Sequence, residues 1–184
     1  MKPMTLACTA AATVATAAAG SAATDPDSGW YRRLRKPDWQ PPAIAFPVVW
    51  TALYADLAVS SAVALDSAAA LDKAAATDKA ATDGAATGTR NHSREVRSYR
   101  GALAANLVLN ATWSWLFWRS RRPWLAAAEA ALLAVSSADL VRRTHRLSPG
   151  AGVSLAPYAA WCGFATALST AIAGINPGKG NRRQ

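Results

Sequence analysis

Residues 29–54 read GWYRRLRKPDWQPPAIAFPVVWTALY. Four cations, Arg32, Arg33, Arg35 and Lys36, are followed by Pro37, Pro41 and Pro42, and then by an uncharged apolar run that begins at Ile44. Proline lacks a backbone donor and pushes the residue before it towards extended geometry, so these prolines exclude a regular helix and predict a rigid, extended turn. Beyond the turn the spacing predicts a helix over about 44–65, broken only by Asp56. Trp30, Tyr31 and Trp39 flank the turn, which suits the aromatic belt of a membrane interface.

The chain around this stretch has 184 residues, 52% of them hydrophobic and 17% charged, which fits one compact unit. It holds 46 alanines and eight tryptophans. Disorder requires few aromatics and low hydrophobicity, so it is excluded. Cys8 and Cys162 both lie in apolar stretches and give no disulfide framework. The net charge of +9 would suit a nucleic-acid partner, but the cations cluster between apolar segments, at 32–36, 94–100, 119–122, 142–146 and 179–183. That distribution places them at lipid head groups and predicts the lipid bilayer, with no nucleic acid, as the surrounding partner.

A membrane-spanning helix needs roughly 17 to 25 mostly apolar residues. Five windows qualify, at about 4–24, 44–65, 101–118, 123–140 and 152–175, and they predict an all-α integral membrane protein, a five-transmembrane-helix bundle filling residues 1–184 as a single domain. The window at 4–24 is alanine and threonine with almost no large aliphatic residue, and Lys2 before it with small residues at 21–23 also fits a cleaved signal peptide. Residues 66–100, rich in alanine with recurring Asp-Lys pairs, are expected to form a solvated low-complexity loop insertion. Lys and Arg number ten on each side of such a bundle, so charge does not orient it. His92 and His145 have no second ligand at helical spacing, and no metal site is expected.

The order Trp30-Tyr31, Lys36-Pro37-x-Trp39-x-Pro41-Pro42, Phe46 and Val49-Trp50-Thr51-x-Leu53-Tyr54 resembles the translocator protein family, also called the tryptophan-rich sensory protein or TspO/MBR family. Downstream, Leu109-Asn110-x-x-Trp113-x-x-Leu116-Phe117 is similar to that family's third helix, Arg122-Pro123 followed by Glu129 to its fourth, and Pro157-Tyr158-x-x-Trp161-x-x-Phe164-Ala165-Thr166-x-Leu168 to its fifth. The resemblance runs from Gly29 to Asn176 apart from the insertion. It implies five transmembrane helices, with a first helix directly before the Trp-Tyr segment, in a homodimer of multi-pass chains, here in a bacterial cell membrane.

Residues three or four apart share a helix face, as do Trp50 with Tyr54, Asn110 with Trp113, Trp113 with Phe117, and Tyr158 with Trp161. If these stripes converge, they form an aromatic site with a few polar tips, suited to a flat apolar ligand. The plainer alternative is that they fill the bundle core. The resemblance implies the ligand site, with Trp50, Trp113 and Trp161 as pocket tryptophans, Trp39 near the lid and Asn110 as a polar neighbour. It implies tetrapyrroles, protoporphyrin IX or haem, as ligands rather than required cofactors, and a role in tetrapyrrole regulation or stress response. Tyr54, Phe117 and Tyr158 complete the candidate site.

Light-dependent porphyrin degradation, attributed to bacterial relatives, is an alternative, but no acid/base pair or nucleophile motif is visible. Transport is a second alternative, for which the inverted repeats and broken helices of carriers are missing. Three departures from the family pattern stand out: Asn106 where a Gln is frequent, Ser169 where an Asn is usual, and no aromatic-basic pair over Thr170–Ile175, which argues against sterol binding. Asp56, Glu129 and Asp139 are ionisable groups in or beside spans, where an unpaired charge is expensive. Of the remaining tryptophans, Trp30 is expected to anchor the interface, and Trp115, Trp118 and Trp124 to face head groups.

Overall fold

The computed structural model describes residues 1–81 and 86–177, and every element among them is helical. In chain order these are α1 (Pro3–Ala23), α2 (Gly29–Arg32), α3 (Ala45–Ala81), α4 (Ala86–Ser114) with a π turn at Trp115–Arg119, α5 (Pro123–Leu147), α6 (Pro149–Ser154) and α7 (Ala156–Ile175). Four stretches are long and apolar enough to cross a membrane: Pro3–Ala23, Ala45–Leu71, Pro123–Leu147 and Pro149–Ile175. The fifth expected span, 101–118, lies in α4 and its π turn but is not among them: α4 ends at Ser114, only 14 residues after Arg100, and Asn106 and Asn110 lie within that stretch.

The expected loop at 66–100 is corrected over its described part. Helix α3 runs on to Ala81 and α4 begins at Ala86. Alanine has the highest intrinsic helix propensity, and the segment's composition allows the two flanking helices to continue where no apolar packing is required. The 37 residues of α3 reach about 55 Å, well beyond a hydrocarbon core of roughly 30 Å. The last expected window, 152–175, is also interrupted, by Leu155 between α6 and α7.

Helix α1 packs on α3 and α4, while α5 lies against α4 and α7. The poverty of α1 in large side chains is what allows its close approach. Thr9, Thr13 and Thr16 are buried, each hydroxyl bonding a carbonyl one turn back in its own helix, and Thr9 Oγ1 also reaches the Ala58 carbonyl of α3 at 2.8 Å. Such small residues and hydroxyls replace aliphatic interdigitation between membrane helices. At the end of α1, the Trp115 indole N–H donates to the Ala19 carbonyl at 3.1 Å and Arg119 Nη2 to that of Ala22 at 2.9 Å. Arg119 satisfies a carbonyl that the helix terminus leaves without a partner, and Trp115 adds a second donor to one at the start of the last turn.

The chain between α2 and α3 is held as the prolines require. Asn176, past the end of α7, accepts from the Arg35 N–H at 2.9 Å and donates to the Arg35 carbonyl at 2.8 Å, a two-way clamp on the extended segment. Trp30, expected to anchor the interface, is buried within the chain, edge-on to Phe117 at 5.7 Å. Trp118 packs on Tyr31 at 4.6 Å, whereas Trp115 and Trp124 are exposed.

Three of the four carboxylates in the apolar spans have partners. Asp56 Oδ1 accepts from Ser60 at 3.1 Å and from Ser154 of α6 at 2.5 Å. Asp66 accepts from the Lys2 N–H and the Thr5 hydroxyl, and Asp139 pairs with Arg142 and Arg143. The fourth is Glu129.

Candidate functional site

Helices α3, α4 and α7 carry the same short pattern. Each has a hydrogen-bonding residue, then a tryptophan, then a phenylalanine, at spacings of three or four: Tyr54, Trp50, Phe46 on α3; Asn110, Trp113, Phe117 on α4; Tyr158, Trp161, Phe164 on α7. The α3 series reads backwards along the chain because α3 runs antiparallel to the other two. All three series therefore pass from polar to apolar in the same direction, towards the end of the bundle where the 30–44 connection lies.

At the polar end the three helices join. The Tyr54 hydroxyl donates to Asn110 Oδ1 at 2.5 Å, Asn110 Nδ2 donates to the Tyr158 oxygen at 3.1 Å, and the Tyr158 hydroxyl donates to Asn106 Oδ1 at 2.6 Å. Asn106 Nδ2 continues to Ser137 Oγ at 3.0 Å and Ser136 Oγ at 3.2 Å on α5, and Ser137 donates to the Leu133 carbonyl at 2.8 Å. Asn106, Asn110, Ser137 and Tyr158 are buried, so the network stands in a low-dielectric interior where each unmade bond would be costly. Ser137 Oγ also lies 3.4 Å from Cys162 Sγ.

Above this floor stand the rings. Trp50 stacks on Tyr54 with centroids 5.4 Å apart and meets Tyr158 edge-on at 6.4 Å. Trp161 packs on Phe164 at 5.0 Å and on Phe46 at 6.0 Å, and Trp113 stacks on Phe117 at 5.7 Å. Trp39, 51% exposed, caps the group by meeting Phe164 edge-on at 5.8 Å. Offset and edge-on pairs of this kind contribute about 0.5–1.5 kcal/mol each beyond burial. Lys36 adds its ammonium over the Tyr31 ring at 4.1 Å.

The structure thus brings Trp50, Tyr54, Asn110 and Tyr158 into one connected set. Trp161 and Trp39 are joined through Phe164, while Trp113 stacks on Phe117 beside Trp30 and Tyr31, in the packed cluster that also takes in Phe46 and Phe164. Asn106, Ser136, Ser137 and Cys162 were not among the expected site residues. For Asn106 the signal was present, because it lies one turn before Asn110. The two serines on α5 gave none, since Ser is common in membrane helices. Two buried polar groups here have no hydrogen-bond partner among the described residues: the Trp113 indole Nε1 and the Glu129 carboxyl, at both oxygens.

The family model for the TspO/MBR family matches residues 5–174. The tryptophan-rich protein TspO of Chlorobaculum tepidum is 29% identical over 160 residues, 86% of this chain and 87% of its own. An uncharacterized membrane protein, YtaB, of Bacillus subtilis is 28% identical over 82% of both chains. The translocator protein of Homo sapiens is 27% identical over 84% of this chain and 79% of its own. The match takes in α1 and all three helices of the aromatic site, so the chain is a membrane protein that belongs to the TspO/MBR family.

Proposed function

We propose that the protein binds a tetrapyrrole, protoporphyrin IX or haem, among the aromatic residues of α3, α4 and α7, and that it acts as a sensory or translocator-type protein in tetrapyrrole regulation or stress response. The observation that carries this reading is the shared pattern of polar residue, tryptophan and phenylalanine on the three helices. It offers extended ring faces to a flat π-system, and a few fixed polar groups to orient it. The α4 segment at 101–118 crosses the bilayer as the third of five spans in this reading, its two asparagines accommodated by the network of Tyr54, Tyr158 and Ser137 rather than by lipid. The working unit is a homodimer.

The test is a titration of the detergent-purified protein with protoporphyrin IX and, separately, haem. Saturable binding is expected, and the combined Trp50→Phe and Trp161→Phe variant, which narrows the ring face at two contacts of about 0.5–1.5 kcal/mol each, is expected to raise Kd by up to about tenfold. Non-saturable partition, or an unchanged Kd in the double variant, rejects the site. Product formed in excess over protein under light would instead identify an enzyme.

A further inference from the structure

Glu129 is the exception among the span carboxylates. Asp56, Asp66 and Asp139 each have hydroxyl, amide or guanidinium partners, whereas Glu129, 6% exposed, has none on either oxygen among the described residues. Its place in the bundle follows from the α4 to α5 register. Tyr99 pairs with Thr144 and Asn106 with Ser137, so a step forward on α4 matches a step back on α5. Continued by seven or eight residues, that register brings Trp113 and Ser114 level with Ala130 and Glu129. The same register sets Phe117 level with Ala126, and the two lie in one packed cluster together with the partly buried Trp113.

Two helices therefore hold, at one level inside the bundle, an indole donor without an acceptor and a carboxyl without a donor. Packing alone does not account for them, because an apolar side chain of similar size at 129 would avoid the desolvation of the carboxyl. We propose that Glu129 and the Trp113 N–H form a polar subsite for a ligand group that both donates and accepts hydrogen bonds, a carboxylic acid, hydroxyl or amide. The ligand O–H or N–H is donated to Glu129, and its oxygen accepts from Trp113. The subsite rests on the tetrapyrrole reading, and its natural occupant there is a propionic acid side chain of the porphyrin.

The experiment compares protoporphyrin IX with its dimethyl ester, which has lost both acid donors, by porphyrin absorbance in detergent. The wild-type protein is expected to bind the diacid about tenfold more tightly than the diester, the size of one buried hydrogen bond left unmade. Glu129→Leu is expected to remove that preference while raising the melting temperature of the ligand-free protein. Glu129→Gln, which keeps the shape, and Trp113→Phe, which loses only the N–H and indole breadth, are each expected to reduce the preference several-fold. A preference unchanged in Glu129→Leu and Glu129→Gln overturns the subsite while leaving the tetrapyrrole reading in place. A lower ligand-free melting temperature in Glu129→Leu, or its failure to fold, also overturns it by showing that the carboxyl is structural. Non-saturable binding of both porphyrins to the wild type rejects the tetrapyrrole reading and the subsite with it.

Discussion

Gly152→Ala is expected to lower the melting temperature of the protein in detergent by about 6–12 °C, from a loss of about 3 kcal/mol at roughly 2–4 °C per kcal/mol for a chain of this size. A Cβ on Gly152 would stand 2.4 Å from His145 Cα, 2.5 Å from its Cβ and 2.6 Å from its backbone nitrogen. These neighbours belong to the α5 backbone or are fixed to it, so no rotamer change relieves the clash. The short helix α6 must instead lift away from α5, and Ser154, two residues on, would be pulled from Asp56. Gly163→Ala and Gly101→Ala are the controls. Nothing lies within 4 Å of a Cβ at either position, and both are expected to leave the melting temperature unchanged or slightly raised by the better helix propensity of alanine. Equal melting temperatures for Gly152→Ala and Gly163→Ala would show that α6 does not approach α5 this closely.

Asn106→Leu is expected to cost about 2–4 kcal/mol, because it deprives two buried partners at once. The Tyr158 hydroxyl loses its acceptor and Ser137 its donor, in a region where neither residue is exposed. Tyr54→Phe removes a terminal member of the same network and breaks one bond only, so about 1 kcal/mol is expected. Thermal denaturation of the two variants in the same detergent measures the contrast. A smaller loss at Asn106 than at Tyr54 would show that the network does not run through Asn106.

The residues that decide the fold were legible because they obey local rules. Three prolines within six residues, 37, 41 and 42, cannot all lie in one helix interior, and the run at 44–65, broken only by Asp56, and the charge-free run at 152–175 are long enough to cross a hydrocarbon core. The site was legible in part, since Trp50 and Tyr54, or Asn110 and Trp113, share a face whatever surrounds them. The pairing across helices was not. That Asn110 meets both Tyr54 and Tyr158, and that Trp30 is buried beside Phe117, depends on interhelical register that one helix's sequence does not contain. The extension of α3 and α4 into 66–100 was hidden for a different reason: alanine favours helix without requiring burial, so a composition that lacks packing groups is compatible with both a loop and a helix.

The hydrogen bonds from Tyr54 to the Leu133 carbonyl run in one sense, each proton directed away from Tyr54. Tyr54 has thus committed its own proton and presents an oxygen that can only receive. A neighbour that needs a proton from it must turn over the amides of Asn106 and Asn110 and rotate the hydroxyls of Tyr158 and Ser137 together. One that offers a proton disturbs nothing, and strengthens each bond behind it by polarisation. Of two molecules of identical shape and opposite hydrogen-bonding sense set against Tyr54, the chain would therefore favour the donor, and that direction is anchored on α5, two helices away from the tyrosine that expresses it.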